Sequence, residues 1–216
     1  MYSFRGKNLY RDVIICLMKL VVGIGNPGKD YEKTRHNVGF MLLEQFLKDY
    51  EPIRKTVWEN NTKLKSDIAE IFWQGKNGKN ERIILVKPKT YMNNSGMAVS
   101  LITSFYKIEP ENVWILHDDV DFPIGSMRIR FGGASAGHRG VMSIIESLGS
   151  DKFWRFRLGI GRPGESEHSG VSHYVLDRFS HQDHAKVREM LHRGVKAIEV
   201  GLQDDLQAAM NQFNTK

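Results

Sequence analysis

The chain has 216 residues, of which 41% are apolar and 26% charged, enough for one well-buried core and too few for two large domains. That balance excludes a disordered, collagenous or disulfide-scaffold chain. The net charge of +6 is compatible with an anionic partner, and the single cysteine, Cys16, cannot form an intrachain disulfide, which fits a reducing cytoplasm.

Residues 1–17 contain no clear element. Their apolar stretch, residues 13–18, is cut by Lys19, which makes it too short to cross a bilayer, and it lacks a small-residue cleavage site. Met18 stands directly before the first strand pattern. We therefore expect residues 1–17 to be an extension outside the fold and residues 18–216 to form one domain. Residues 19–25 (KLVVGIG) have the pattern of a buried strand, followed by an Asn26-Pro27-Gly28 turn. Thr34 can cap a helix beginning TRHN, whose apolar positions Val38, Met41, Leu42, Phe46 and Leu47 recur at helical spacing. Residues 67–73 and 82–86 form two strands joined across a glycine-bearing turn. The loop KPKTYMNNSG leads into a helix over 97–107.

The next strand pattern, residues 112–116 (NVWIL), runs into His117-Asp118-Asp119. Residues 126–131 form another strand, followed by the loop GGASAGHRG, a helix over 141–148 and a strand over 154–160. After a polar loop, residues 182–212 are helical, with a break expected near Gly201. Strands alternate with helices throughout, so the expected class is α/β, a single domain with a mixed, largely wound sheet surrounded by helices.

Gly23-Ile24-Gly25-Asn26-Pro27-Gly28 satisfies the G-x-G-x-x-G pattern of dinucleotide-binding turns. That reading requires the glycines to open a helix directly and an acid to end the next strand. Here Pro27 breaks the turn, and Asp49, at the right distance, is not preceded by a strand. No cofactor is expected.

Charge is concentrated in residues 128–162, which hold seven Lys or Arg against two acids. Arg128 and Arg130 are two apart, as are Arg155 and Arg157. On strands each pair points to one side of a sheet, so the four can form a positive stripe suited to a phosphate backbone.

Four polar segments fall at strand ends or in the loops after them: Asn26, residues 34–37, residues 91–94 and residues 117–119. In wound sheets such ends converge on one crevice. His36 lies in the first turn of its helix. The helix N-terminus disfavours the imidazolium there, so His36 is a candidate base. His117, Asp118, Asp119 and Asp121 could be considered as metal ligands, but neighbours on a strand face opposite ways and no ligand-spacing motif is present, so no metal is expected.

The motifs GIGNPG-x2-Y-x2-TRHNVGF, KPKTYMNNSG-x-AV, HDDVDFPIG, RIRFGG-x4-GHRG and F-x-RFRLGIGRPG together resemble the bacterial peptidyl-tRNA hydrolase family. The resemblance runs from about Met18 to the C-terminus. It implies a metal-independent cytoplasmic enzyme, acting as a monomer without an obligatory protein partner. The implied reaction cleaves the ester joining a peptide to the 3′ ribose of tRNA, recycling tRNA released from stalled ribosomes.

By the same resemblance His36 matches the histidine that activates water and Asp118 the acid that holds it. Asn26 matches the residue that distinguishes blocked peptidyl-tRNA from free aminoacyl-tRNA, and Asn93 the asparagine that holds the substrate near the ester. Tyr31 and Tyr91 match aromatic positions at the tRNA 3′ end. Arg128, Arg130 and Arg157 fall where the family meets the acceptor stem. One position departs: the family usually has GHNG, and this chain has Arg139 in place of the asparagine. Arg139 has no acceptor atom and suits a phosphate instead. The alternative from another class is a tRNA-binding module without catalysis.

Overall fold

The computed structural model describes residues 18–48, 50, 57–76, 78, 80–164 and 170–214. The extension expected at residues 1–17 lies outside the described residues. One seven-stranded sheet has the order β2-β3-β4-β1-β5-β7-β6. Its strands are β1 (Lys19–Gly23), β2 (Glu59–Asn61), β3 (Ser66–Gln74), β4 (Asn80–Pro88), β5 (Val113–Asp119), β6 (Met127–Phe131) and β7 (Trp154–Gly159). The four central strands β4, β1, β5 and β7 are parallel, with β3 and β6 antiparallel beside them and β2 antiparallel to β3. The sheet is mixed, as expected, and the parallel centre explains its unbroken apolar runs.

Alternation along the strands makes two cores. Val21, Leu85, Leu116 and Phe156 face one side and pack with α1 (Val38–Leu47) and α5 (His184–Gln203). Leu20, Val22, Ile84 and Ile115 face the other, against α2 (Ser95–Tyr106) and α3 (Arg139–Leu148). The helices α4 (Gly170–Tyr174) and α6 (Leu206–Phe213) complete the fold.

Several boundaries differ from the sequence reading. Thr34 occupies the capping position but makes no cap; its hydroxyl donates to the Tyr31 carbonyl at 2.9 Å, and a 3-10 turn, Arg35–Asn37, precedes α1. β5 continues through His117 and Asp118 to Asp119. The C-terminal helix does not break at Gly201, where a Cβ would press on Leu206 and Trp114. It breaks after Gln203, and Asp205 caps α6 through a bond from the Ala208 amide at 2.7 Å.

The glycine motif has a packing role. A Cβ at Gly23 would lie 2.5 Å from the Gly39 carbonyl oxygen, and one at Gly25 would lie 2.8 Å from Asn37 Oδ1. These glycines let α1 cross β1 closely and give no opening for a pyrophosphate. At the far edge, β6 is closed by Asn214, whose side-chain amide accepts from the Ile129 N–H at 2.7 Å and donates to the Ile129 carbonyl at 2.8 Å.

Candidate active site

Because β1, β4, β5 and β7 are parallel, their C-terminal ends lie on one side and their following loops meet there. After β1 the chain is held at Asn26. Asn37 accepts from the Asn26 N–H at 2.8 Å and donates to its carbonyl at 2.9 Å. The Asn26 side-chain oxygen accepts from the Met92 N–H at 2.9 Å. That oxygen is thereby committed, which fixes the amide orientation and leaves the Asn26 Nδ2 donor turned toward the cleft that this residue lines.

Asp118 joins two histidines. His36 Nδ1 and His138 Nε2 each lie 2.8 Å from the same Asp118 oxygen, Oδ1. A carboxylate only accepts, so both nitrogens carry protons. The other nitrogen of His138 accepts from the Gly140 and Val141 N–H groups at 3.1 and 3.3 Å and thereby caps α3. His138 is therefore held neutral, with its one proton on Nε2 and directed at Asp118. His36 keeps Nε2 as a lone pair in the cleft. Burial would raise the Asp118 pKa, but the adjoining imidazoles of His138 and His36, each directing an N–H at its carboxylate, hold it well below the ordinary carboxylate range. Asp118 is thus a fixed anion that orients the His36 ring.

The near nitrogens of His36 and His138 and the Asp118 carboxylate lie within 4.8 Å of one another, the only group of three among the described residues with this reach for an ion. The hydrogen bonds already use the same atoms. An ion on His138 Nε2 would require that proton to leave while Nδ1 still accepts two amides, so the arrangement suits a hydrogen-bonded pair better than a metal centre.

His117 is a second buried histidine beside the pair. Its Nδ1 donates to the Asp118 carbonyl at 2.7 Å, its Nε2 has no partner among the described residues, and its ring meets His138 edge-on with centroids 4.9 Å apart. Burial and the nearby His138 push its pKa well below the usual value, against the opposing pull of Asp118. A buried neutral histidine takes up a proton only on unfolding. Stability is therefore expected to fall as pH drops below about 6.5, the unfolded value. Melting curves from pH 7 to 5 should show this slope, and His117→Asn should flatten it; an unchanged slope would assign the acid loss to other groups.

The cleft has a volume of about 630 Å3. One wall carries Tyr91, Met92 and Asn93 and the start of α3; Tyr91 is 60% exposed. Val171, Val175 and Leu176, from α4 and the turn after it, also line the cleft, and this segment is tied to the base-bearing turn: His36 N–H donates to the Val175 carbonyl at 2.8 Å and Arg35 N–H to that of Asp177 at 2.9 Å. The Arg35 guanidinium stacks 4.0 Å above the Tyr174 ring and donates to the Tyr174 carbonyl at 3.2 Å.

The arginine stripe is present and its members differ. Register pairs Arg128 with Arg157 and Arg130 with Arg155, so all four share one face. Arg155 is only 3% exposed and donates to the Ala134 carbonyl at 2.8 Å and to the Gly132 carbonyl. It braces the glycine loop from beneath and is not available to a partner, contrary to the expected four-arginine track. Burial and its neighbours Arg130 and Arg157 push its pKa down to about 10. Arg157 donates to Asp119 at 2.7 Å and lies 4.5 Å over the Phe122 ring. Arg128 and Arg130 are exposed.

The fold brings Asn26, His36, Tyr91, Asn93, Asp118 and Arg139 into the cleft. Tyr31, Arg128, Arg130 and Arg157 lie outside its lining, Tyr31 half-buried in the turn before Arg35. Two members were missed: His138, and Asn37, whose amide locks Asn26. The signal for His138 was its place at the start of a helix in GHRG. That for Asn37 was its position one residue after His36, at the close approach of α1.

Residues 20–216 match the family model described as peptidyl-tRNA hydrolase. A peptidyl-tRNA hydrolase of Desulforamulus reducens is 40% identical over 92% of this chain and 90% of its own length. That of Bacillus subtilis is 38% identical over 92% of this chain and all of its own. The crystal structure of peptidyl-tRNA hydrolase from Acinetobacter baumannii superposes with a TM-score of 0.80 at 32% identity, covering 94% of this chain and 97% of that one. With a matching family model over nearly the whole chain and relatives of this extent, the chain belongs to the peptidyl-tRNA hydrolase family.

Proposed function

We propose that this chain hydrolyses the ester between a peptide and the 3′ ribose of tRNA, with His36 as base. The observation that carries the mechanism is the pairing of His36 Nδ1 with a buried anionic Asp118, which leaves Nε2 in the cleft as a lone pair. Nε2 takes a proton from water, and the oxygen attacks the ester carbonyl. The carbonyl–O3′ bond then breaks, and the departing ribose oxygen takes the proton from His36. Asn26 Nδ2 and the Asn93 amide serve as donors to the substrate carbonyls and the developing oxyanion. His36, Asp118 and Asn26 are the catalytic set. Tyr91, Asn93 and Tyr31 hold the 3′ end, and the apolar α4 wall takes the peptide. A catalytically silent tRNA-binding module would have no use for an oriented base beside paired amide donors.

The test is release of free tRNA from an N-acetylaminoacyl-tRNA, run beside the unblocked aminoacyl-tRNA. Turnover of the first with little of the second supports the reading; turnover of neither defeats it. A monomer acting in the cytoplasm through residues 18–216 belongs to the same proposal. Among the described residues no helix is long and apolar enough to cross a membrane.

The exposed arginines of β6, with Arg157, are assigned to the acceptor stem. Neutralising Arg128 or Arg130 should weaken tRNA binding and reduce its log–log salt slope by about one per lost contact. A short N-blocked aminoacyl ester should be affected much less. Equal losses on both substrates would remove these residues from the stem contact.

A further inference from the structure

Arg139 is the one arginine of the cleft wall that the fold leaves without an acid. It is exposed and lines the cleft, and among the described residues it has no ion pair. The other cleft-lining arginine, Arg162, is paired with Asp121. Arg139 also stands at the first position of α3, where no acidic residue accompanies it. A cation there opposes the helix macrodipole and costs stability. An anion arriving at that point would relieve both conditions.

Position identifies which anion. Gly140, the next residue, packs so tightly on the Tyr91–Asn93 turn that a Cβ would overlap Met92 Sδ. Arg139 thus belongs to the wall that bears the exposed Tyr91 ring and Asn93. The residues assigned to the peptide, Val171, Val175 and Leu176, are apolar and belong to a different segment, α4 and the turn after it. The loop from residue 132 to 138, braced by Arg155, connects Arg130 on β6 to Arg139 at the cleft. Residues 135–138 of that loop line the cleft, so a strand of nucleic acid held by the β6 arginines and entering over the loop would meet Arg139 beside Tyr91 and Asn93.

We infer that Arg139 binds the phosphodiester on the 5′ side of the esterified terminal nucleoside, so that it reads the last internucleotide linkage of the substrate. The inference rests on the hydrolase reading above. The guanidinium offers a two-pronged donor set that fits two phosphate oxygens, and it has no acceptor for a peptide amide N–H.

Three N-acetyl-leucyl esters separate the contributions: the 3′ ester of adenosine, which has no phosphate, the same ester on the trinucleotide CCA, and the full tRNA. The wild-type enzyme should turn over all three, with kcat/KM rising along the series; failure on all three would defeat the hydrolase reading and the inference with it, whereas turnover with no difference among the esters would overturn the inference alone. Arg139→Gln should raise KM about tenfold on the trinucleotide and tRNA esters, the low end for a charge-assisted hydrogen bond at an exposed site. The loss on the adenosine ester should be at least fivefold smaller. Arg139→Lys should recover part of the binding, because the charge remains and the fork is lost. Equal losses on all three esters would make Arg139 a pocket residue and overturn the inference. So would a loss that appears only when N-acetyl-glutamyl esters replace the leucyl ones, which would assign the arginine to acidic peptides.

Discussion

His36→Ala is expected to abolish nearly all turnover of N-acetylaminoacyl-tRNA while leaving tRNA binding intact. The ring is 13% exposed on its side chain and makes one side-chain hydrogen bond, to Asp118, so its loss removes little packing. General-base catalysis of this kind contributes about 10²–10⁴-fold. Asp118→Asn is expected to cost about 10²-fold or more, because an amide removes the charge and can present a donor where two ring N–H groups need an acceptor. The double variant should lose little beyond His36→Ala, since Asp118 acts through the histidine. The measurement is the double-mutant cycle on kcat/KM with intact fold checked by circular dichroism. Additive losses, or a His36→Ala enzyme with substantial residual activity, would dismantle the assigned pair.

The second large effect is expected at His138, a positioning residue with two separable bonds. His138→Asn retains a good helix-capping side chain for α3 but shortens the reach to Asp118. Its melting temperature should stay close to wild type while kcat falls about tenfold with KM little changed, the cost of one charge-assisted bond. With one donor fewer, Asp118 should hold its charge less firmly, so the acid limb of the kcat profile should move to higher pH. His138→Ala should show the same kcat loss and in addition lose about 1 kcal/mol from the missing cap. If the asparagine variant keeps full kcat and an unmoved pH profile, His138 is only a helix cap.

Features set by short-range periodicity were legible in the sequence. The two-residue spacing of Arg128 with Arg130 and of Arg155 with Arg157 forces each pair onto one sheet face, whatever the rest of the fold does. The apolar runs around Val21 and Ile115 mark strands buried on both sides. The weak points were tertiary. Arg155 has the same spacing signal as its neighbours, yet the glycine loop folds over it and engages both of its terminal nitrogens. The meeting of His36, Asp118 and His138 joins three elements separated by 82 and 20 residues, and no local pattern records it. β2 and α4, with three and five residues, are too short to display a period. The helix break expected near Gly201 falls two residues later, after Gln203, and its physical signal is Asp205, which caps the next helix.

The Asn214 amide on Ile129 bears on how the molecule avoids its own kind. In an antiparallel pair the main-chain groups of alternate residues point away from the partner, so β6 presents Met127, Ile129 and Phe131 to its open side. Such an edge invites a strand from another molecule. Asn214 fills the middle position with the same donor and acceptor that an added strand would bring. The basic residues on the neighbouring positions discourage a second copy through like-charge repulsion, while leaving a polyanion free to approach. The protein thus leaves the arginine-bearing face of β6 open while its rim is shut to strand exchange, guarding against fibril-like association at little cost in chain length.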